Sequence, residues 1–383
     1  MAANRPLHGI VVLDLTRVLA GPFCTMLLRD LGAEVVKVEP PAGDDARAFG
    51  PFLTGADEAS AYFTSLNCGK RSVVLDLKQT ADRSRFAELV KRADVLVENY
   101  RPGTLARLGF DERRLQELNP DLVYAAISGF GATGPYASRP AYDVIIQALS
   151  GIVSITGTES GERVRVGTSI TDIVSGLYAA VGVLAALSRR DRGGGGAQID
   201  LSMLDAAVSV LENAVARYQV NGEVPVPLGS RHPAIAPFEA FDAADGQVVV
   251  AAGNDRLFAA LCEVVGAAHL PNDPRFGSNP ERMAHARELK HELEKALRQR
   301  TVAEWVASLA EAGVPVARVN TVADLFQDPQ LAARGMLTPV AGLDGFAVTG
   351  SPLKFAGIPD ESVRPPAPTL GQHNDRPLSA GKR

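Results

Sequence analysis

Asp172 is the residue with the most chemistry open to it in this 383-residue sequence. It opens the apolar stretch DIVSGLYAAVGVLAAL, and Ser169 stands three residues before it. That spacing reads in two ways. A serine followed three residues later by a carboxylate marks a helix start, where each side chain satisfies an N–H of the first turn. A carboxylate at the mouth of an apolar segment is also poorly hydrated, which makes it a better nucleophile than one in water. Local pattern leaves both readings open. Lys78, Asn99, Arg101 and Arg107 form a second group, each following a strand-like run. Singly they read as ordinary surface residues. Jointly they stand on loops where a parallel sheet gathers its ligands, and the cations there could hold phosphates.

Other chemistries lack parts. Gly129, Gly131 and Gly134 spell G-x-G-x-x-G after a strand-like run, but Pro135 and Pro140 follow and no helix opens on the glycines. A loop is the better reading than a dinucleotide fingerprint. The run Gly193–Gly196 has no Lys-Ser/Thr after it, so it is no P-loop. The six histidines include no H-E-x-x-H, and no G-x-S-x-G elbow is present, so neither a metal site nor a serine triad is expected.

The elements that must position these residues alternate. Gly9–Leu15, Ala33–Glu39, Ser72–Leu77, Asp94–Asn99 and Leu122–Gly129 read as buried strands, with helices between them around residues 22–31, 80–93 and 105–118. Apolar strands alternating with helices imply an α/β fold with a parallel sheet covered on both faces. Helices follow near 142–150 and 171–190, then a strand at QIDLSM and a helix in LDAAVSVLENAVARY. Four prolines between Val224 and Pro237 suggest a crossing between domains, and a smaller α/β unit comes after it. Thr301 and Glu304 have capping-box spacing.

Composition narrows the partners. The net charge is −5 and aromatics are 6%, which gives no general affinity for nucleic acid, so a polyanionic ligand must be met by local cations. Cys24, Cys68 and Cys262 fit neither a disulfide framework nor a zinc pattern, as in a reducing compartment. The opening MAANRPLHGI lacks a signal-peptide pattern, and Ile173–Leu187 is shorter than the roughly 20 residues that span a bilayer. A cytoplasmic protein with no membrane partner is expected.

The runs GIVVLDLTRVLAGPFCTMLLRDLGAEVVKVEPP, NCGKRSVVLDLK, ADVLVENYRPGTLARLGF, AYDVIIQALSG and VGTSITDIVSG resemble the family III CoA-transferases nearly end to end. The family includes formyl-CoA transferase, carnitine CoA-transferases and, as a side branch, α-methylacyl-CoA racemase. The resemblance implies a Rossmann-like large domain, a smaller α/β domain and an interlocked homodimer. On that pattern residues 1–195 begin the large domain, 196–237 form a linker, 238–325 the small domain, and 326–383 return to complete the large one.

The resemblance also implies the activity: transfer of CoA from an acyl-CoA to a small carboxylic acid through covalent intermediates on Asp172. No cofactor is implied beyond coenzyme A as co-substrate, and no metal. CoA contacts fall on Val18, Leu19, Ala20, Leu75, Lys78, Asn99, Tyr100, Arg101, Arg107, Tyr142 and Asp143. Arg139 stands in for a lysine that formyl-CoA transferase places where Pro140 stands here. The glycine-rich loop of that enzyme is missing, which makes formate a poor candidate. The runs AFGPF, LGSRHPAIAPF and AAGNDRLFAAL resemble the acetyl-CoA:oxalate branch, and imply a dicarboxylate acceptor such as oxalate held near Arg47, Phe49 or Arg231. Glutarate and malate transferases using succinyl-CoA carry similar segments. A racemase would need a histidine where Tyr142 stands and a glutamate where Asn254 stands. A CoA-binding protein without activity is at odds with an intact Asp172.

Overall fold

A computed structural model describes residues 5–53 and 59–379. The chain divides into two compact units, one of Met1–Val153, Arg165–Glu223 and Pro329–Arg383, the other of Ser154–Val164 and Val224–Asp328.

The first unit is built on six parallel strands: β1 (Val11–Asp14), β2 (Glu34–Glu39), β3 (Arg71–Val74), β4 (Val95–Glu98), β5 (Val123–Ser128) and β6 (Ala197–Ser202). Their order in the sheet is β3-β2-β1-β4-β5-β6. The chain winds outward from β1 to β3, then returns to place β4 on the other side of β1. In such a sheet the crevice for a ligand opens beyond the carboxyl ends of the two strands where the order reverses. Here that is the end of β1 and β4, the loops carrying Thr16–Leu19 and Asn99–Thr104.

The helices of this unit are α1 (Ala20–Asp30), α2 (Ala61–Asn67), α3 (Thr80–Val90), α4 (Thr104–Arg107), α5 (Glu112–Leu118), α6 (Asp143–Ser150), α7 (Ile152–Ile155, which runs into the second unit), α8 (Ile170–Arg189), α9 (Met203–Ser209) and α10 (Ala214–Asn221). One sheet face is covered by α1, α6, α8 and α9 through Leu28, Ile146, Ala179, Val183 and Ala207. The other is covered by α3 and α5 through Phe86, Val90 and Leu115, with Leu378 from the C-terminal segment. By length and composition alone α8 could cross a bilayer, but half of its most apolar stretch is buried in this unit.

The C-terminal segment, which includes α15 (Pro329–Ala333) and the antiparallel pair β10 (Leu337–Pro339) and β11 (Ala347–Thr349), is tied back by polar groups. Arg364 makes two bonds of 2.7 Å to Asp30, and Asn374 and His373 take the N–H groups of Val74 and Ser72 on edge strand β3. An edge strand covered in this way is closed to pairing with another chain.

The second unit has an antiparallel sheet of β7 (Phe238–Asp242), β8 (Gln247–Ala251) and β9 (Val316–Arg318). Helices α11 (Asp255–Val264), α12 (Asn279–Ala284), α13 (Ala286–Leu297) and α14 (Val302–Glu311) complete it, and Phe258, Leu293 and Trp305 are buried in its core. The Thr301–Glu304 capping box forms with both of its bonds.

Residues 196–237 do not act together as a linker. Residues 197–221 supply the sixth strand and two helices of the first unit, because β6 pairs with β5 along its whole length. The helix expected in LDAAVSVLENAVARY is broken, with Glu212 in the left-handed region at φ 53°. Residues 154–164 belong to the second unit, which local pattern did not indicate.

The crossing of α1 and α8 depends on Gly176. A Cβ there would lie 2.6 Å from the Ala20 carbonyl oxygen and 3.0 Å from the Phe23 ring. Alanine normally improves a helix interior by about 1 kcal/mol over glycine, but overlap with packed backbone costs about 1–3 kcal/mol. Gly176→Ala should therefore lose stability in a urea titration. A gain would mean that the two helices have room to part.

Candidate active site

The crevice at the sheet reversal holds a cavity of about 410 Å³. Its walls include Val18, Leu19, Ala20, Asn99, Tyr100, Arg101, Arg139, Tyr142 and Asp172. Nine of the residues singled out from the sequence thus come together, from four separate stretches of chain.

Asp172 sits in the first turn of α8, partly buried. Ser169 occupies the N-cap position but its side chain makes no capping bond, so the capping-box reading of this pair fails. Asp143, in the first turn of α6, takes over that task from a distance in sequence. Its Oδ1 accepts from the Thr171 N–H at 2.9 Å and from the Thr171 hydroxyl at 2.7 Å, while Gln147 donates to its Oδ2 at 2.6 Å. Asp143 is therefore a support beneath the site, and it does not line the cavity.

With another residue capping its helix, the Asp172 carboxyl has no hydrogen-bond partner among the described residues. Burial, and then the charge of Asp143, push its pKa up to about 7. Such a group is a carboxylate for about half of the protein at neutral pH, and its partial burial leaves that carboxylate less hydrated than one in free water.

The walls carry cations. Arg101 and Arg139 are joined by Arg17, which sequence reasoning passed over although it too follows a strand. Arg17 pairs with Asp45, while its buried Nε has no hydrogen-bond partner among the described residues. Arg139 stacks over the Tyr136 ring at 3.7 Å, and Tyr142 is 74% exposed at the start of α6.

Other expected residues lie elsewhere. Leu75 is buried in the core of the sheet, Lys78 is exposed beyond β3, and Arg107 is exposed and donates to the Thr104 hydroxyl at 2.9 Å; none of the three lines the cavity. Arg47 is not available to a substrate. Its guanidinium makes two bonds of 2.7 Å to Glu39, a third to the Pro368 carbonyl, and lies over the Phe63 ring. Phe49 is exposed and meets Tyr62 edge-on. Arg231 belongs to the second unit, where it pairs with Glu159.

A sequence model of CoA-transferase family III matches residues 7–374. The chain is 47% identical over 369 residues to an acetyl-CoA:oxalate CoA-transferase of Acetobacter aceti, covering 96% of this chain and 93% of that protein. It is 39% identical over 381 residues to a succinate–glutarate CoA-transferase of Agrobacterium fabrum, covering 98% and 95%. A crystal structure of a CAIB/BAIF family protein from Brucella suis superposes with a TM-score of 0.87 at 39% identity, covering 97% of this chain and 98% of that one. The chain belongs to CoA-transferase family III.

Tyr62 is a further residue of this CoA-transferase that local pattern did not indicate. Burial, and then the charges of Asp172, Asp44 and Asp143, push its phenol up to about 12, although it does not line the cavity.

The pH dependence has a defined sign. Folded Asp172 titrates above its usual 3.8, so its contribution to stability is full below about pH 4 and is lost as pH rises through about 7. Asp172→Asn should therefore melt above the wild type at pH 8, with the gap closing as pH falls towards 4. In the wild type, kcat/KM for the acyl donor should rise through about pH 7 as the carboxylate forms. Glu98 also titrates near 7, raised by burial. A rising limb that survives in Glu98→Gln belongs to Asp172, whereas one lost in that variant does not.

Proposed function

We propose that this CoA-transferase moves CoA from an acyl-CoA thioester to a small dicarboxylate, oxalate first, through covalent intermediates on Asp172. The observation that carries this reading is the Asp172 carboxyl, unpaired and poorly solvated in a cavity walled by three arginines.

Asp172 attacks the donor carbonyl, releasing CoA thiolate and forming an aspartyl–acyl anhydride. The thiolate returns to the aspartyl carbonyl, expels the acyl group as a carboxylate and leaves an aspartyl-CoA thioester. The acceptor carboxylate attacks that thioester to give a new anhydride and thiolate. Attack of the thiolate on the acceptor's carbonyl yields the product acyl-CoA and restores Asp172. The activated bond is conserved at each step, so no nucleotide triphosphate is consumed. Arg101 and Arg139 are suited to the CoA phosphates, since a guanidinium binds phosphate through two hydrogen bonds. Coenzyme A extends beyond the cavity, and Lys78, Arg107 and the backbone at Leu75 are assigned to its outer end.

Asp172→Ala should lower turnover by at least about a thousandfold, the cost of losing a covalent nucleophile. Wild-type protein treated with donor and then hydroxylamine should carry a hydroxamate on Asp172 in a peptide mass spectrum. Near-normal turnover in the alanine variant would refute the mechanism.

The acceptor assignment rests on the Acetobacter aceti relative, named for oxalate. The Agrobacterium fabrum relative, named for succinate and glutarate, supports the alternative of a longer diacid with succinyl-CoA as donor. Either acid brings a second carboxylate that needs a cation. Arg17 is suited to it, since it shares the cavity with Asp172 and its counter-ion Asp45 is exposed, so the acid would take the place of Asp45. A diacid should exceed acetate or formate in kcat/KM by roughly ten- to a hundredfold, because only a diacid brings a second carboxylate for Arg17 to bind in place of Asp45. A screen in which a monocarboxylate is the best acceptor would exclude the diacid reading and leave Asp172 untouched.

The interlocked homodimer is part of the same proposal. Val144, Ile145 and Leu149 on α6, Leu177, Tyr178 and Val181 on α8, and Val220 on α10 are exposed on a single chain. So much apolar surface calls for a protein partner, and a second copy is the one assigned.

A further inference from the structure

Val18 has φ 66°, the left-handed region, where a β-branched side chain is strained. Strain of this kind persists only where the surroundings impose it. The surroundings do so here with unusual completeness. Asp14 takes the Thr16 N–H at 2.9 Å, and Lys37 Nζ donates to the Thr16 carbonyl at 2.7 Å. The Asn99 amide takes the Arg17 N–H and donates to the Arg17 carbonyl, both at 2.8 Å. Asp44 takes the N–H of Val18 itself at 3.1 Å, and its second oxygen lies 2.9 Å from Lys37 Nζ. Asp14, Lys37 and Asp44 are all buried. Four side chains from four parts of the first unit therefore hold three consecutive residues.

The held turn leads directly to the site. Val18, Leu19 and Ala20 form cavity wall beside Asp172, and the Ala20 carbonyl is the group that Gly176 admits, one helical turn beyond Asp172. If Val18 relaxed to an unstrained conformation, the start of α1 would shift along α8 at that crossing.

We infer that Asp44, braced by Lys37, and the side-chain amide of Asn99 are positioning residues for CoA transfer. They hold Val18 in its left-handed conformation and so fix the wall against which Asp172 reacts. The inference rests on the reading of Asp172 as the reacting group, but it concerns how that wall is held, and the two fail separately.

The test is a rescue, because glycine adopts φ near 66° without steric cost. Asp44→Ala should lose about a hundredfold in kcat at saturating donor, the size expected of a misplaced catalytic wall. Asp44→Asn, which keeps an acceptor for the Val18 N–H, should lose much less. Adding Val18→Gly to Asp44→Ala should restore roughly tenfold, since the turn no longer needs forcing. Asn99→Ala keeps the Asp44–Lys37 pair intact, so its rescue by Val18→Gly provides the same comparison should Asp44→Ala not fold. Rates are taken per folded enzyme at a temperature below every variant's melting transition, where a merely structural role would move the melting temperature and leave kcat alone. Rescue of kcat in either background supports the inference. Unchanged kcat in both alanine variants, or equal loss with and without Val18→Gly, overturns it. If Asp172→Ala kept its turnover, the mechanism would fall while the rescue could still be read.

Discussion

The buried charges beneath the carboxyl ends of β1 and β2 are the constraint on which this structure turns. Asp14, Lys37, Glu39, Asp44 and Lys70 are all almost completely withdrawn from water. Burying ions costs several kcal/mol each unless partners and hydrogen bonds replace the lost hydration. Here the replacement is thorough. Lys70 binds Asp14, the Thr25 hydroxyl and the Pro22 carbonyl, and Glu39 is held by Arg47, Ser72 and the Asp44 N–H. Burial would raise the pKa of Asp14, but the charges of Lys70 and Lys37 override it and hold the carboxyl well below its usual range. Lys37 is raised despite burial, by Asp14, Asp44 and Glu39. An apolar core could fill the same volume. It could not grip backbone N–H and carbonyl groups at fixed points, and the loop after β1 is gripped at Thr16, Arg17 and Val18 in turn.

From that anchor the site follows by packing. The turn at Val18 starts α1, α1 crosses α8 at Gly176, and the first turn of α8 carries Asp172. Asp143 locks the first turn of α8 to that of α6 through Thr171. Three helices of eight residues or more thus begin around one cavity. Their N-termini favour negative charge by a few tenths of a kcal/mol to about 1 kcal/mol each. Burial and Asp143 act on Asp172 in the opposite direction. The nucleophilic role proposed for Asp172 is served by this opposition, since the group must be ionised to attack yet not so stabilised that it ceases to be reactive.

Much of this was legible in the residues. Five strands, their parallel arrangement and the loops at their ends followed from alternation of apolar runs with helices, and motif resemblance pointed to Asp172. What escaped was non-local. The Ser169–Asp172 spacing pointed to a cap, while the actual cap is Asp143, 28 residues from Thr171. QIDLSM read as a strand with no assigned partner, and only pairing with β5 places it in the sheet. The left-handed turn falls on valine, a residue type that argues against it, because side chains distant in sequence impose it. Arg47 resembled a substrate ligand because nothing local reveals that Glu39, on the preceding strand, already occupies it.

Charge balance in the cavity follows from the same separation of roles. The proposed reaction brings CoA phosphates and a carboxylate to a chamber that already contains an aspartate, so uncompensated anions would repel one another in a poorly hydrated space. The cations available against this are Arg17, Arg101 and Arg139 on the walls. Arg47 and Lys37 lie close by in sequence to wall residues, but the buried carboxylates of Glu39 and Asp44 occupy them, whereas the Asp45 that pairs with Arg17 is exposed. The first unit thus keeps two populations of basic residues. One is buried with its counter-ions and sets the shape of the turn. The other faces the cavity, and Arg17 belongs to both: its backbone is gripped by Asn99 while its guanidinium reaches Asp45 at the cavity edge. A change in the grip at Arg17 therefore also displaces one of the three arginine charges on the cavity wall.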